Sequence, residues 1–226
     1  TMNQATSTLD RPVSKVEVKG AEARHYDLLM NVITVGTYPF FIRRVVRDIG
    51  IQPDDAILIL GSGTGRNASL MGCYLSSKGR VLGLDIGLEM LEQARRRCRH
   101  LSNVTFEKQR VEEPLPYRET FDKVFISFVL HGFIQEERIH IIANAYRALR
   151  AGGQFIILDY SEFEPEQATW PVRFAFRRVE CPLATDFVRR DWQAILREQG
   201  FNDFRAHHYY SGYIRLLAAR KVSPTR

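Results

Sequence analysis

The sequence has few cysteines, few lysines and no long apolar run. Cys73, Cys98 and Cys181 are odd in number, widely spaced and outside any CxxC pattern. This argues against a disulfide framework or a zinc site and is typical of a reducing compartment. No apolar run approaches the roughly 18 residues that a membrane-spanning helix needs. The start lacks the basic and apolar regions of a secretory signal, so we expect a cytoplasmic protein.

The basic charge of the chain comes mainly from arginine. Lysine and arginine total 32 against 26 acidic residues, which gives a net charge of +6. An excess of this size permits anionic small molecules, nucleic acid or an anionic membrane surface, but it selects none of them. The run Arg95-Arg96-Arg97 is expected to be a solvated helix face rather than a nucleic-acid patch. We expect no nucleic-acid partner.

The length of 226 residues suits one domain, alone or with a small lid. Residues 1–20 are polar and are expected to form a mobile arm, which leaves 21–226 for a single domain. The middle of this domain alternates short apolar runs with amphipathic helical patterns. Ala56–Leu60 is wholly apolar, as in a strand buried on both faces. Further strands are predicted at 80–85, 104–107, 123–128 and 154–159.

The alternation of strand and helix predicts parallel strands joined by right-handed crossovers. A helical pattern over 139–149 precedes Gly152-Gly153, which we expect to end the helix, and 204–220 form a hairpin around Ser211-Gly212. The predicted fold class is α/β: an open, doubly wound, mostly parallel seven-stranded sheet with helices on both faces and a C-terminal antiparallel hairpin. Ligands are expected beyond the carboxyl ends of the strands.

A glycine-rich loop follows the first predicted strand. It contains Gly61, Gly63 and Gly65 and precedes a helix, and Asp85 ends the next strand. Glycines let a ligand lie against main-chain amides, and the helix start adds a positive dipole end. A carboxylate at the end of the second strand can accept both hydroxyls of a ribose. Together these features predict a cofactor that carries a nucleoside.

The spacing leaves open which nucleoside is bound. Residues 63–68 fit the GxGxxG/A pattern of dinucleotide sites, but Gly63 lies beyond the strand end. Counted from Gly61, Arg66 takes the third glycine position, where close packing of helix and strand needs a small residue. A GxGxG loop directly after the strand suits a smaller ligand lying along the loop. An NAD(P)-dependent oxidoreductase remains an alternative.

The sequence resembles the class I S-adenosylmethionine-dependent methyltransferases, and among them the ubiquinone/menaquinone-biosynthesis C-methyltransferases. The segments that carry the resemblance occur in order from Tyr26 to Lys221: Tyr26-Asp27, the 61–65 loop, 84–91, 121–124, 126–128, 149–153 and 199–201. The resemblance implies a Rossmann-like methyltransferase fold, S-adenosylmethionine as cofactor and no metal.

The resemblance also implies roles for particular residues. The glycine loop would hold the methionine and ribose parts of the cofactor through Gly61, Ser62, Gly63 and Gly65, and Asp85 would bind the ribose hydroxyls. The adenine would lie against Ile86, Arg110, Val111 and Glu112. Ser127 would line the methyl-transfer side, and Tyr26 would close over the cofactor. Two positions depart from the family. Ile59 replaces an acid that would lie near the methionine amino group, and Arg110 replaces Asp or Asn at the adenine edge. A cofactor-binding protein without methyl transfer is therefore a second alternative.

The predicted acceptor side follows the fourth and fifth strands. His131 is the first candidate for a base or a substrate orienter, although it could simply hydrogen-bond its own loop. Asp159 and Tyr160 are the next candidates. Aromatic and arginine residues are mixed at 38–44 and 170–178, where this fold inserts lid elements, here about 21–50 and 160–190. They predict a hydrophobic substrate, such as a quinone precursor or lipid, and peripheral contact with an anionic membrane. The alternative is that these apolar faces pack on the sheet.

Overall fold

A computed structural model describes residues 37–170, 172–173 and 182–222. Tyr26, the arm at 1–20 and the first part of the predicted lid over 21–50 lie outside the described residues, as does most of 171–181. Within the described part, no helix combines the length and the apolar character needed to cross a membrane.

The strands form one seven-stranded sheet in the order β3-β2-β1-β4-β5-β7-β6. Their bounds are β1 Ala56–Leu60, β2 Arg80–Asp85, β3 Val104–Lys108, β4 Phe121–Ser127, β5 Leu149–Tyr160, β6 Phe201–Tyr209 and β7 Ile214–Lys221. The first five strands are parallel, and β7 pairs antiparallel with both β5 and β6. The predicted doubly wound sheet with a C-terminal hairpin is confirmed.

The helices cover both faces of this sheet. Their bounds are α1 Tyr38–Asp48, α2 Arg66–Gly72, α3 Leu88–Cys98, α4 Gln135–Ala148, α5 Pro182–Val188 and α6 Trp192–Glu198. The buried side chains of α1, α2 and α3 form one core cluster with one face of the sheet, and those of α4, α5 and α6 form a second cluster with the other. All five residues of β1 are buried because it lies at the centre of the sheet with helices on both sides.

Helix α1 is an integral layer of the domain rather than a detached lid. Ile42 and Val45 are fully buried in the core, whereas Phe40 on the opposite side is 72% exposed. The apolar residues recur at a helical period, so one face meets the sheet while Arg43 and Arg44 face solvent. This part of the lid predicted at 21–50 therefore packs on the sheet through its apolar face.

The predicted end of the fourth helix is wrong. Helix α4 ends at Ala148, and Leu149 is already extended and pairs with Phe121 of β4. Gly152 and Gly153 lie inside β5, where Gly152 has a φ of +76°. The two glycines mark an irregular strand start rather than a helix end. By contrast, Gly200 follows α6 with a φ of +91°, the left-handed conformation typical of a residue that ends a helix.

Candidate functional site

The three glycines of the loop are left-handed for different reasons. Their φ values are +73°, +51° and +75° at Gly61, Gly63 and Gly65. A Cβ on Gly61 would lie 2.6 Å from Val129 Cγ2, and one on Gly65 would lie 2.8 Å from Ala94. A Cβ on Gly63 would meet no atom within 4 Å. Gly61 and Gly65 are therefore required by packing, while Gly63 leaves the outer surface of the loop open to a ligand.

Asp85 joins this loop to the end of β2. Its Oδ2 accepts a hydrogen bond from the Gly63 amide at 2.7 Å, and its Oδ1 accepts one from the Gly87 amide at 2.9 Å. A carboxylate has about four acceptor sites, so two amide donors do not exhaust its capacity to bind ribose hydroxyls. The carboxylate predicted from the sequence is thus held in place by main-chain donors.

The arginine run on α3 supports the loop from behind. Arg97 Nη1 donates to both Thr64 O and Thr64 Oγ1 at 2.7 Å, and Arg95 Nη2 donates to Phe106 O at 3.2 Å. Arg95 and Arg96 are exposed, as expected for a solvated face, whereas Arg97 is half-buried against the glycine loop. Packing of Gly65 on α3 brings these side chains close enough to reach the backbone carbonyls.

A cleft beside Asp85 collects most of the predicted cofactor residues. It is lined by six predicted residues and two further ones: Gly61, Asp85, Ile86, Arg110, Val111 and Glu112, with Val129 and Phe133. We call it the Asp85 cleft. Val129 and Phe133 are not among the residues predicted to bind the cofactor. Their apolar character and position past a central strand are the signals that could have found them.

The far wall of the Asp85 cleft is a fixed loop. Arg110 Nε donates to Glu112 Oε1 at 2.6 Å, and this bond raises the pKa of Arg110. Buried Asn144 of α4 donates to Val111 O at 2.8 Å and to Glu113 O at 2.7 Å. The Glu112 carboxylate predicted for the adenine edge is thus held by Arg110, and Asn144 is a supporting residue that the sequence did not reveal.

Buried polar atoms without a partner concentrate at one edge of the sheet. In the described part of the chain they are Ser62 Oγ, Asn67 Oδ1, Glu89 Oε2 and Ser161 Oγ. All four follow the carboxyl ends of β1, β2 or β5, where this topology places ligands. Burying a polar atom without a hydrogen bond costs free energy of folding. The presence of four such atoms at this edge therefore indicates a place for a polar ligand. Together with the open surface over Gly63 and the fixed Asp85, the residues fit an adenosyl cofactor.

The three predicted catalytic residues lie together at the same edge. His131 Nδ1 is 2.8 Å from Asp159 Oδ1, and the His131 amide donates to Asp159 Oδ2 at 3.3 Å. The Tyr160 ring lies 5.1 Å from the His131 ring between centroids. Asp159 is only 2% exposed, so its carboxylate is directed at His131 and at the Tyr160 amide rather than at solvent. A carboxylate on Nδ1 fixes the imidazole tautomer that keeps its proton on Nδ1.

The chain bends sharply between Ser127 and His131. Ser127 ends β4, and Phe128 follows with a φ of +52°, an uncommon conformation for a residue with a large side chain. The Phe128 amide still donates to Leu158 O at 2.9 Å. The bend places the centroid of the Phe128 ring 6.3 Å from that of Tyr160, one of the predicted acceptor-side residues. Strain of this kind is concentrated at functional sites.

Ile59 and Tyr26 stand apart from this group. Ile59 is buried in the core between Gly83 and Phe125 on neighbouring strands. Its side chain packs among the apolar groups of the core. Tyr26 lies outside the described residues, so its predicted role as a cover stays a prediction.

Comparison with known proteins shows what this domain is similar to. Residues 57–153 match the methyltransferase domain family. A solved structure of a SAM-dependent methyltransferase from Aquifex aeolicus superposes with a TM-score of 0.62 at 21% identity, covering 80% of this chain and 89% of that one. These findings confirm the predicted fold, which is that of the SAM-dependent methyltransferases.

Curated relatives agree with the narrower resemblance. The chain is 32% identical over 153 residues to the ubiquinone/menaquinone biosynthesis C-methyltransferase UbiE of Xanthomonas oryzae pv. oryzae, and 29% identical over 140 residues to that of Wigglesworthia glossinidia brevipalpis. These matches cover 66% and 61% of this chain but only 60% and 55% of the relatives. The resemblance to this group is confirmed, and the oxidoreductase alternative is not favoured.

Proposed function

We propose that the protein is an S-adenosylmethionine-dependent methyltransferase that acts on a hydrophobic small molecule such as a quinone precursor or lipid. The observation that carries this proposal is the pair of bonds from the Gly63 and Gly87 amides to Asp85, which fixes a ribose-binding carboxylate beside an open glycine loop. The matches to methyltransferases support the reaction class.

Residues at the carboxyl edge would divide between cofactor and acceptor. The glycine loop and Asp85 would hold the methionine and ribose parts, and the Asp85 cleft would take the adenine between Ile86 and Val129. When bound, S-adenosylmethionine supplies an electrophilic methyl group on a sulfonium. Positioning and exclusion of water by the surrounding residues can supply most of the catalysis.

His131 is proposed to act on the acceptor. With its Nδ1 proton directed at Asp159, the ring presents Nε2 as the nitrogen that can accept a proton from a phenolic, enolic or amine acceptor. Asp159 would keep this tautomer and stabilise the imidazolium that forms. The rings of Tyr160 and Phe187 lie beside the imidazole, and the Phe128 ring lies beside Tyr160. Such an aromatic surrounding suits a flat, apolar acceptor.

Exposed aromatic residues support contact with a membrane that holds such an acceptor. Phe40 and Trp170 are 72% and 69% exposed, and exposed Tyr210 lies 5.0 Å from the Phe41 ring. Arg43 and Arg44 are exposed on the same helix as Phe40. Aromatic side chains beside arginines match the interface of an anionic bilayer. We propose a cytoplasmic protein of one domain over 21–226, with cover segments near 21–36 and 160–190, that touches such membranes peripherally.

Two measurements test the function. Calorimetry with S-adenosylmethionine and S-adenosylhomocysteine should show binding, and absence of both up to millimolar concentration contradicts the proposal. Transfer of a labelled methyl group to quinol, phenol, lipid and amine acceptors then tests turnover. The variant His131→Gln should lose roughly 10²–10⁴-fold in kcat without a change in cofactor affinity. His140→Gln, on the exposed side of α4, is the matched control.

The membrane contact has its own test. Co-sedimentation with vesicles of anionic lipid should retain the protein, and vesicles of neutral lipid should retain less of it. The double variant Phe40→Ser with Trp170→Ser should release it, because the exposed aromatic rings supply the apolar contact. Equal retention of this variant and the wild type would contradict the assignment of the surface.

A further inference from the structure

Arg138, in the first turn of α4, is a charged side chain with 0% exposure. A guanidinium has five N–H donors, and each of them has an acceptor here. The bonds run from Nε to Leu130 O (3.1 Å), from Nη1 to Gln135 Oε1 (3.3 Å) and Asp186 Oδ2 (2.5 Å), and from Nη2 to His131 O (3.0 Å) and Leu183 O (2.7 Å). The charge also lies over the Phe187 ring, 5.3 Å from its centroid.

Such a residue is poorly explained by stability alone. Burial lowers the pKa of Arg138, and the bond to Asp186 opposes that change. Taking a guanidinium out of water costs free energy, and apolar replacements of buried ion pairs are often neutral or stabilising. The arrangement therefore points to a requirement for geometry: a planar fork that must reach several carbonyl oxygens at once.

Apart from Gln135 of its own helix, the acceptors of Arg138 lie on two separate segments. Leu130 O and His131 O belong to the short 3-10 turn that carries the imidazole, and Leu183 O and Asp186 belong to α5. Helix α5 also contacts His131 directly, since Phe187 lies 6.3 Å from the imidazole between centroids. Helix α5 lies within the segment 160–190, which we propose as the cover of the acceptor side.

We propose that Arg138 is a positioning residue that holds the His131 turn against Asp159 and ties it to α5. The contact itself is independent of the proposed function, but its consequence for methyl transfer rests on that function. Asp159 contacts the imidazole and the main-chain amide of His131. Arg138 is what fixes the carbonyl side of the same turn. Because one guanidinium binds both segments, the position of α5 and the orientation of the His131 imidazole depend on each other.

The test compares variants that weaken this link with a matched control elsewhere. Arg138→Lys replaces the fork by a point-like ammonium with three donors, and Asp186→Asn removes the compensating charge but keeps an acceptor oxygen. The control is Asp55→Asn, which breaks the buried pair of Asp55 Oδ2 and Lys123 Nζ at 3.1 Å, at the amino end of the strands. All three should lower the melting temperature.

Nitrogen-15 NMR of the His131 imidazole separates positioning from stability. The wild type should show the Nδ1–H tautomer, whereas both Arg138→Lys and Asp186→Asn should lose it in favour of a tautomer mixture. The exchange of the Gly132 amide should become at least about tenfold faster in both variants, because the turn opens locally. The control variant should match the wild type in both signals.

Binding and turnover complete the comparison. Affinity for S-adenosylmethionine should stay within about twofold in Arg138→Lys, while kcat on an acceptor falls roughly 10- to 100-fold through misplacement of the base. If Asp186→Asn leaves both the His131 tautomer and the exchange of the Gly132 amide unchanged, the proposal is overturned. This result decides the question even if Arg138→Lys does not fold. Failure of the wild type to bind the cofactor would instead overturn the proposed function, and the NMR comparison would still decide the role of Arg138.

Discussion

Replacement of Gly63 by alanine isolates the part of the glycine loop that faces the cofactor. Gly63 has a φ of +51°, and a Cβ there would meet no protein atom within 4 Å. The added methyl group would stand in the open space above the loop, where we place the ligand. Its effect on the protein alone should therefore come only from the backbone conformation.

The magnitudes follow from this geometry. A left-handed conformation costs an alanine about 1–2 kcal/mol relative to glycine, so the free energy of unfolding should fall by that amount. Displacement of the ligand from the loop should cost one charge-assisted hydrogen bond, about 1.5–3 kcal/mol. That loss corresponds to a roughly 10- to 100-fold higher Kd for S-adenosylmethionine.

Gly152 supplies a matched control for this prediction. Its φ is +76°, a Cβ there would also meet nothing within 4 Å, and it lies in β5 near the amino end of the parallel strands. Gly152→Ala should therefore lose similar stability in urea unfolding but keep its cofactor affinity in calorimetry. If Gly63→Ala binds as tightly as Gly152→Ala, the ligand does not lie on the loop as we describe.

Three further changes test other contacts. Asp85→Asn should raise the Kd for the cofactor by about 100-fold and lower the unfolding free energy by about 1–3 kcal/mol, because one of two amides loses its acceptor; calorimetry and urea unfolding measure both. Asp159→Asn should lower kcat by about 10²–10⁴-fold with unchanged cofactor binding, in a methyl-transfer assay. Burial and the bond to Glu107 raise the pKa of Tyr117 to about 12 from 10. The stability that this bond provides is complete below pH 10 and is lost as the pH rises to 12, so the melting temperatures of wild type and Tyr117→Phe should converge over that interval.

Much of the sheet could be predicted because its signals are local. The apolar run of β1 and the glycine loop after it need no knowledge of distant residues, and β1 and β2 have the predicted bounds. The end of α4 could not be predicted in the same way. Leu149 leaves the helix because it pairs with Phe121, and that pairing depends on a strand nearly thirty residues away.

The site residues also differ in whether the local sequence is enough to predict them. His131, Asp159 and Tyr160 could be placed at one edge because each lies at or just after the carboxyl end of a predicted strand. It could not reveal Arg138 or Asn144, which lie on α4 and act through backbone carbonyls of other segments. A buried polar residue on a helix has the same local pattern whether it supports a site or only a core. Its role becomes visible only when its partners are known.

The bonds around the glycine loop have a consequence for how quickly and how tightly a ligand can be captured. Arg97 holds Thr64, Asp85 holds Gly63, and the Gly65 amide donates to Ser62 O at 3.0 Å. Because the glycine loop is already ordered before the ligand binds, most of the entropic cost of ordering the loop is not subtracted from the binding free energy. The disadvantage of this rigidity is that a small displacement of α3, which carries Arg97, would also move the glycine loop that is proposed to bind the cofactor.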